Sequence, residues 1–208
     1  MTSQFVVSGT DTGVGKTVFA AALAGALNAH YWKPIQCGFD PEGDKETVAR
    51  LAGLSRDRIL PELYRLRAPL SPHRAAELEG ITIEPERVTP PDVPGPLVIE
   101  GAGGLMVPIT RSMLQLDLYV KWDIPIILVS RTALGTINHS LLSIFALRMR
   151  EAPIHGIAFV GPPNEDSERT ICDIGEVRRL GRLDPVDPLQ PDTLADAFRA
   201  GFRIGDFA

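Results

Sequence analysis

The stretch SGTDTGVGKT, residues 8–17, combines a glycine-rich turn with a lysine and a threonine at a spacing that suits phosphate binding. The run FVVS before it predicts a strand, and KTVFAAALAGAL after it predicts a helix that begins at Lys16. A lysine at that position faces the positive end of the helix dipole, so an anion is needed to explain it. Backbone N–H groups of the turn and the helix N-terminus form an anion site, and the strand–turn–helix order is that of a phosphate loop.

The phosphate loop predicts a nucleotide site in which Lys16 offsets phosphate charge and the hydroxyl of Thr17 ligates Mg²⁺. The loop is a variant, because the glycine that usually stands five residues before Gly15 is replaced by Thr10, and Gly9 precedes it. The structural alternative is a tight turn before a core helix, with the lysine extending to solvent.

Two acidic residues and a second lysine are candidates for the same site. Glu100 follows the apolar run LVI, where phosphate-loop enzymes place an acidic residue near Mg²⁺. Asp44 opens the predicted helix DKETVARLAG and either ligates Mg²⁺ or only caps that helix. Lys33, in YWKPIQCG, is either a solvated lysine of an edge strand or a second cation at the γ-phosphate.

Four short, wholly apolar runs lie at 5–7, 97–99, 125–130 and 154–160. Such runs are typical of strands buried on both faces of a parallel sheet, and helical stretches separate them. The sequence therefore predicts an α/β fold, a doubly wound and mostly parallel sheet with helices on both faces, of the phosphate-loop NTPase type. We expect the chain, 1–208, to form a single domain.

Two helices and two irregular segments complete this prediction. Residues 18–27 are almost uniformly apolar, which predicts a buried helix, and 137–149 places Ile137, Leu141, Phe145 and Met149 on one face of an amphipathic helix. Segment 61–96 holds eight prolines, which predicts an irregular excursion with a short helix over the carboxyl edge of the sheet, without regular strands. Segment 161–191 predicts loops around one short helix and one short strand.

Composition limits the partners. The chain has 208 residues, 44% hydrophobic and 23% charged, with a net charge of −5, which argues against nucleic-acid or membrane binding through a basic face. Cys37 and Cys172 lack metal-ligand spacing, and no apolar run approaches the roughly 18 residues of a membrane span. We expect a cytoplasmic protein with no nucleic-acid and no membrane partner.

Five blocks, GTDTGVGKT, YWKPIQCG, SPHRAA, IEGAGGLMVPI and ALGTINHS, together resemble the dethiobiotin synthetase family over about residues 4 to 160. The resemblance implies an ATP-dependent cyclo-ligase of biotin biosynthesis. Its substrates would be 7,8-diaminononanoate, CO2 and ATP, and the ureido ring would close through a carbamate and a carbamic–phosphoric anhydride. It also implies Mg²⁺ as cofactor and a homodimer with the active site at the interface.

The resemblance also implies residue roles at matching positions. The catalytic residues would be Lys16, Lys33 and Thr12, and the Mg²⁺ ligands Thr17, Asp44 and Glu100. The nucleotide-binding positions would be Gly13, Val14, Gly15, Lys16, Thr17, Val18, Asp44, Glu100, Gly101, Ala102, Gly103, Gly161 and Pro162. The substrate-binding positions would be Thr12, Lys33, Cys37, Gly135, Thr136 and Asn138, the last three at a helix N-terminus of the partner subunit, where free N–H groups suit the substrate carboxylate.

Two positions depart from the family pattern. Cys37 stands where relatives often carry a serine or threonine that can bond the substrate, and a thiol is a weak donor. Gly161 stands where an asparagine commonly reads adenine, and Asn164 lies three residues downstream. We therefore predict a loose preference for the nucleotide base.

The main alternative is a partitioning or cofactor-insertion ATPase of the same superfamily, which acts as a switch. Such proteins carry a lysine where this chain has Asp11. A GTPase would need an Asn-Lys-x-Asp motif, which the sequence lacks, and the intact Lys16, Thr17, Lys33 and Glu100 argue against a non-catalytic scaffold.

Overall fold

Parallel strands alternate with helices along most of the chain. The structure, a computed structural model, describes residues 3–39 and 41–207; residues 1, 2, 40 and 208 of the predicted domain lie outside the described residues. The strands are β1 (Gln4–Gly9), β2 (His30–Trp32), β3 (Ile35–Cys37), β4 (Tyr64–Leu66), β5 (Leu97–Gly104), β6 (Ile126–Arg131), β7 (Ile154–Val160) and β8 (Arg179–Leu183). The helices are α1 (Lys16–Leu27), α2 (Asp44–Leu51), α3 (Pro72–Leu78), α4 (Gln115–Trp122), α5 (Thr136–Met149), α6 (Glu165–Gly175) and α7 (Pro191–Gly201).

Six strands form one sheet in the order β2-β5-β1-β6-β7-β8, with each neighbouring pair parallel. Strands β1, β5, β6 and β7 coincide with the four apolar runs, so the predicted parallel sheet is confirmed. Strand β1 lies between β5 and β6, and the loop that follows it therefore opens at the middle of the carboxyl edge. In parallel α/β sheets this edge is where ligands bind.

Helices cover both faces of the sheet, because successive side chains of each strand point to opposite faces. Phe5 and Val7 of β1 lie in an apolar cluster with residues of α1, α2 and α7, whereas Val6 lies in a second cluster with α3, α4 and α5. A third cluster joins β6 and β7 to α5 and α6. The doubly wound arrangement is confirmed, and in the described ranges no helix is long and apolar enough to cross a bilayer.

The proline-rich segment contains the predicted short helix, α3, but also a strand that the sequence did not predict. Strand β4 pairs in parallel with β3, from Ile35 opposite Tyr64 to Cys37 opposite Leu66, in a separate two-stranded sheet. The prediction of no regular strand was wrong, because the interval between Pro61 and Pro69 is free of proline and long enough for three ladder residues.

Helix α5 is buried along a different line from the predicted one. Thr136, Ser140, Ile144 and Leu147 are its buried residues, while Phe145 is 44% and Met149 84% exposed. The hydroxyl of Ser130 in β6 lies within hydrogen-bond distance of both Thr136 and Ser140, which turns this partly polar line toward the sheet. The spacing of apolar residues alone therefore predicted the wrong buried face of α5.

The sequence also missed α7. This helix and the residues after it contribute Phe198, Phe202 and Phe207 to the cluster around α1, where Phe19 is wholly buried. The apolar surface of α1 predicted burial but not which helix buries it.

Candidate nucleotide and substrate site

The phosphate loop, Gly9–Thr17, is a tight turn over the N-terminus of α1. Gly13 and Gly15 have φ angles of 72° and 94°, a region that favours glycine. A Cβ on Gly15 would lie 2.7 Å from Cγ1 of Val160, so the loop also packs closely on the end of β7. Lys16 folds back over the loop, and its Nζ donates to the carbonyl oxygen of Asp11 at 3.0 Å.

Glu100 of β5 lies at the base of this loop and is wholly buried. Its Oε1 accepts a hydrogen bond from the hydroxyl of Thr17 at 2.8 Å and lies 3.3 Å from Nζ of Lys33. Its Oε2 accepts a hydrogen bond from the hydroxyl of Tyr31 at 2.8 Å. A buried carboxylate needs such donors and a cation, and this one has both.

Lys33 is buried, which excludes the alternative of a solvated edge-strand lysine. It lies between β2 and β3 with 4% exposure, and its Nζ forms ion pairs with Glu100 and with Asp44. Asp44 is the first residue of α2, whose N-cap is Gly43, so the carboxylate pairs with the lysine and does not cap the helix. Sequence left both choices open; the tertiary contacts exclude the solvated lysine and the helix cap, and the functional roles of both residues stay predictions.

Gln36 holds the start of α2 against β3. Its side-chain oxygen accepts a hydrogen bond from the backbone N–H of Asp44 at 3.2 Å, and its Nε2 donates to the carbonyl oxygen of Gly38 at 2.6 Å. The side chain is 4% exposed. These bonds fix the position from which Asp44 reaches Lys33.

The two lysines differ in their electrostatic surroundings. Burial lowers the pKa of Lys16 below its ordinary value, against the opposing effect of Glu100. Burial also acts to lower the pKa of Lys33, but Glu100 and Asp44 outweigh it and the pKa is raised. Lys33 is therefore held as a cation, and Lys16 would be held more firmly once phosphate charge is near it.

A cleft of about 790 Å³ lies above the loop, bounded on its far side by Pro69, Leu70, Ser71 and Pro72 before and at the start of α3. Twelve predicted site residues line it: Thr12, Gly13, Gly15, Lys16, Thr17, Val18, Lys33, Cys37, Asp44, Glu100, Ala102 and Gly103. The proline-rich excursion thus forms a wall of the cleft at the carboxyl edge, as predicted. Lys16, Lys33, Asp44 and Glu100 therefore line one space.

An apolar groove of about 440 Å³ adjoins this cleft and shares Thr12 and Val107 with it. Leu105, Met106 and Val107, after β5, form one wall, and residues of α5 including Leu142 and Ala146 form the other. The groove leads from the phosphate loop toward the exposed side of α5.

Seven predicted site residues do not line the cleft: Val14, Gly101, Gly135, Thr136, Asn138, Gly161 and Pro162. Val14 is 2% exposed and lies in the core under the loop. Gly101 is buried, and its backbone lies against the hydroxyl of Tyr119, where a Cβ would not fit. Val14 therefore belongs to the core and Gly101 to the buried part of strand β5.

The N-terminus of α5 is exposed at Gly135 and Asn138 but not at Thr136. Thr136 is 3% exposed, and its hydroxyl bonds Ser130 and the carbonyl oxygen of Arg131. Its backbone N–H also has an acceptor, the carbonyl oxygen of Ala133 at 3.2 Å. Within this chain, Thr136 is therefore engaged internally, and Asn138 is the side chain that can reach another molecule.

The end of β7 is tied to its neighbours. The N–H of Gly161 donates to the carbonyl oxygen of Leu183 at 3.0 Å. Asn164 is the N-cap of α6, where its side chain accepts from the N–H of Ser167 and donates to the carbonyl oxygen of Thr132 at 3.0 Å. Asn164 is thus occupied by backbone groups, which argues against its replacing the base-reading asparagine.

The donor set suits Mg²⁺. Thr17, Asp44 and Glu100 offer one hydroxyl and two carboxylates around Lys33. Mg²⁺ prefers oxygen ligands and keeps several waters, so a few protein oxygens suffice alongside phosphates. Among the described residues there is no cluster of three His, Cys, Asp or Glu side chains that could hold a metal ion.

Comparison with known proteins identifies the family. A family model described as an AAA domain matches residues 3–193. Two proteins named "ATP-dependent dethiobiotin synthetase BioD" are each 60% identical to this chain. The one from Nitrobacter hamburgensis aligns over 100% of this chain and 98% of its own length. The one from Novosphingobium aromaticivorans aligns over 99% of this chain and 100% of its own length. The chain belongs to the ATP-dependent dethiobiotin synthetase family.

Solved structures show the same fold at low identity. The synthetase chain is similar to a ParA family ATPase from Chlorobium tepidum, with a TM-score of 0.51 and 14% identity over 98% of this chain and 92% of that one. It is also similar to the cell division ATPase MinD of Pyrococcus furiosus, with a TM-score of 0.50 and 14% identity over 95% and 89%. These likenesses concern the fold alone.

The switch ATPase alternative is not favoured for this synthetase. Asp11, at the position where a switch ATPase would carry a lysine, directs its carboxylate at the N–H of Thr12, at 2.7 Å. Its carboxylate is therefore engaged within the phosphate loop of its own chain. No cation reaches out from this position.

Sequence reasoning missed two polar side chains of the synthetase site, Tyr31 and Gln36. Both lie in short strands that read as apolar, and both are buried. A signal was available in each case, because a polar group in a buried strand needs a hydrogen-bond partner. The sequence could not say that the partners are Glu100 and Asp44.

Proposed function

We propose that this enzyme closes the ureido ring of dethiobiotin from 7,8-diaminononanoate, CO2 and ATP, with Mg²⁺ as cofactor. The observation that carries the proposal is the convergence of Lys16, Lys33, Thr17, Asp44 and Glu100 on one cleft. Two cations beside a phosphate loop suit a reaction in which an anionic nucleophile must approach a triphosphate.

The reaction has three steps. One amine of the diamine adds to CO2 and loses a proton, which gives a carbamate. A carbamate oxygen then attacks the γ-phosphorus of ATP, the bond to the bridging oxygen breaks, and ADP leaves. Finally the second amine attacks the carbonyl carbon of the carbamic–phosphoric anhydride, phosphate departs with the bonding electrons, and the ring closes with loss of a proton.

The chain's own residues supply charge and position for these steps. Lys16, folded over the loop, neutralises charge on the transferred phosphoryl group, and Lys33 lines the same cleft from the segment between β2 and β3. Thr12, exposed at the junction of cleft and groove, is positioned to donate to the carbamate. Thr17, Asp44 and Glu100 would hold Mg²⁺, which when bound neutralises phosphate charge and orients the phosphates.

The adjoining groove suits the alkyl chain of the diamine. Its walls are largely apolar, and it begins at Thr12, where the amine end would lie. A chain that follows the groove carries the substrate's carboxylate toward α5 and away from the phosphate loop. Cys37 lines the cleft on the side of Lys33, so its thiol would contact the amine end as a weak donor at most.

We also propose a homodimer in which the partner's α5 receives that carboxylate. Five large apolar side chains on α5 and nearby loops are at least 44% exposed: Met106, Leu134, Leu142, Phe145 and Met149. A patch of this kind is typical of an interface. Gly135 and Asn138 are exposed beside it, and the N–H groups of a helix's first turn suit an anion.

The enzymatic proposal is tested by substrate dependence. Purified protein with Mg²⁺ and ATP should release ADP and phosphate and form dethiobiotin only when both the diamine and bicarbonate are present. Omission of bicarbonate and the Lys16→Ala variant are the controls. ADP release that depends on DNA or on another protein, and not on the diamine, would contradict the proposal and favour the switch.

The shared site is tested by mixing two impaired variants at a diamine concentration too low for either to turn over alone. Thr136→Glu is unsuitable because that side chain is buried, so Asn138→Glu is the probe, with the neutral Asn138→Gln as its matched control. Asn138→Glu should raise the KM for the diamine with little change in ATP binding. Mixed with Lys16→Ala, it should regain activity, because one interface then combines an intact loop with an intact partner helix. Mixed dimers that form and stay inactive would refute the shared site.

Two broader expectations stay predictions. Core residues on both faces of one sheet support a single domain for 1–208. Cys37 and Cys172 are both free thiols, which is consistent with a reducing, cytoplasmic location.

A further inference from the structure

The two oxygens of Glu100 have different partners. Oε1 faces the cleft, where the hydroxyl of Thr17 is at 2.8 Å and Nζ of Lys33 at 3.3 Å. Oε2 faces the protein interior and accepts a hydrogen bond from the hydroxyl of Tyr31 at 2.8 Å. Tyr31 therefore contacts the carboxylate on its interior side, and Thr17 and Lys33 contact it on the side of the cleft.

The register of two strands brings Tyr31 to this place. In the parallel pair β2–β5, Tyr31 lies opposite Val98, and Glu100 is two residues further along the same face of β5. Tyr31 is wholly buried, so its hydroxyl has no access to water. A phenolic hydroxyl can donate and an ionised carboxylate can only accept, so Tyr31 is the donor of this bond.

We propose that Tyr31 is a positioning residue of this site: its hydroxyl fixes Oε2 of Glu100 and thereby presents Oε1 to Thr17 and Lys33, on the side where the divalent cation would bind. The proposal rests on the cation-assisted function proposed above. It adds a partner outside the ligand set, and such partners set the orientation of metal-binding carboxylates.

Loss of the hydroxyl has a definite consequence for Glu100. Without Tyr31 as donor, Oε2 is a buried oxygen with no hydrogen bond, and the nearest donors are those that now meet Oε1, on Thr17 and Lys33. Rotation of the Glu100 carboxylate would then be favourable, because both of its oxygens could share the hydrogen bonds from Thr17 and Lys33. An oxygen shared in this way is less available to a cation.

A second buried tyrosine provides a matched control. Tyr119 is also wholly buried, and its hydroxyl lies against Gly101, the residue after Glu100, but on the opposite face of the sheet. Among the described residues this hydroxyl has no hydrogen-bond partner. Tyr119→Phe therefore removes a buried hydroxyl next to the same strand without removing a donor to Glu100.

The test measures cation binding directly. Mn²⁺ binding to the protein–ADP complex is followed by electron paramagnetic resonance for wild type, Tyr31→Phe and Tyr119→Phe, and the Mg²⁺ concentration for half-maximal turnover is measured in parallel. Tyr31→Phe should weaken Mn²⁺ binding about tenfold, the lower end of the effect expected for such a partner, and raise the half-maximal Mg²⁺ concentration similarly. Tyr119→Phe should change neither by more than about twofold. Equal effects of the two variants, or unchanged Mn²⁺ binding in Tyr31→Phe, would overturn the proposal.

A double variant separates positioning from general damage. In a Glu100→Gln background, Tyr31→Phe should change Mn²⁺ binding by less than about twofold, because Tyr31 acts through that carboxylate. A further tenfold loss would overturn the proposal. Because Mn²⁺ binding to the ADP complex needs no turnover, a failure of the proposed ring closure is distinguishable from a failure of this inference.

Discussion

Replacement of Lys33 by alanine gives the sharpest test of the charge arrangement in the cleft. The ammonium of Lys33 contacts both Asp44 and Glu100, and the side chain is 5% exposed. Alanine removes this cation and leaves the two carboxylates without it. If Lys33 stabilises charge in the transition state, activity falls much more than nucleotide binding does.

The expected loss follows from the distances. A unit charge pair at the 3.3 Å that separates Nζ from Oε1 of Glu100 is worth on the order of 5 kcal/mol at an effective dielectric constant of about 20. Removal of one preorganised donor typically costs about 2.7–4 kcal/mol in kcat, a factor of about 10²–10³. We expect kcat of Lys33→Ala to fall by that factor. Loss of one partner of a buried ion pair costs about 3–5 kcal/mol of stability, and we expect about 3 because the side chain of Asp44 is 32% exposed.

The assay follows ADP release and dethiobiotin formation at saturating ATP, diamine and bicarbonate, with unfolding in urea measured on the same samples. Lys45→Ala is the matched control, because Lys45 also pairs with a carboxylate, that of Glu62, and does not line the cleft. It should keep kcat within about threefold of wild type, because Lys45 lies outside the cleft and Glu62 keeps Arg65 as a second partner. A folded Lys33→Ala protein with kcat within the same threefold range would refute the assigned role of Lys33.

Three further outcomes are expected. Lys16→Ala should lower kcat by about 10²–10³ and also weaken ATP binding, measured by calorimetry, because Lys16 closes over the loop itself; unchanged ATP affinity would contradict this. At least one of CTP, GTP and UTP should support turnover within about a thousandfold of that with ATP, because Gly161 offers no side chain to the base and Asn164 caps α6. A larger preference for ATP over every other triphosphate would be evidence against this. Burial raises the pKa of Cys37 to about 11, so at pH 8 only about one thiol in a thousand is ionised. Alkylation of this thiol by iodoacetamide should therefore be slow and rise about tenfold per pH unit, and fast labelling at pH 8 would contradict that pKa.

The sequence by itself determined the features that depend on neighbouring residues. The phosphate loop needs only contiguous glycines with positive φ and a helix start, so its shape follows from residues 9–17. Strands β1, β5, β6 and β7 could be located because strands buried on both faces must be apolar throughout. The start of α2 was likewise visible from its acidic first turn.

Only the tertiary structure decided which side chains meet across the fold. The partners of Glu100 lie 67, 69 and 83 residues away in the chain, at Lys33, Tyr31 and Thr17. No local pattern encodes such pairings, because they depend on which strands neighbour each other and in what register. The sequence therefore could not exclude a solvated Lys33, whereas its burial in the structure does, and its catalytic role stays a prediction.

The face of α5 that is buried was decided in the same way. An i, i+4 line of apolar residues is evident in the sequence, yet the buried line includes Thr136 and Ser140 because Ser130 of β6 offers them a hydrogen-bond partner. A buried hydroxyl is stable only when such a partner is present, and the partner belongs to another element. The sequence specifies the groups that can bond, and the packing of β6 against α5 specifies which of them do.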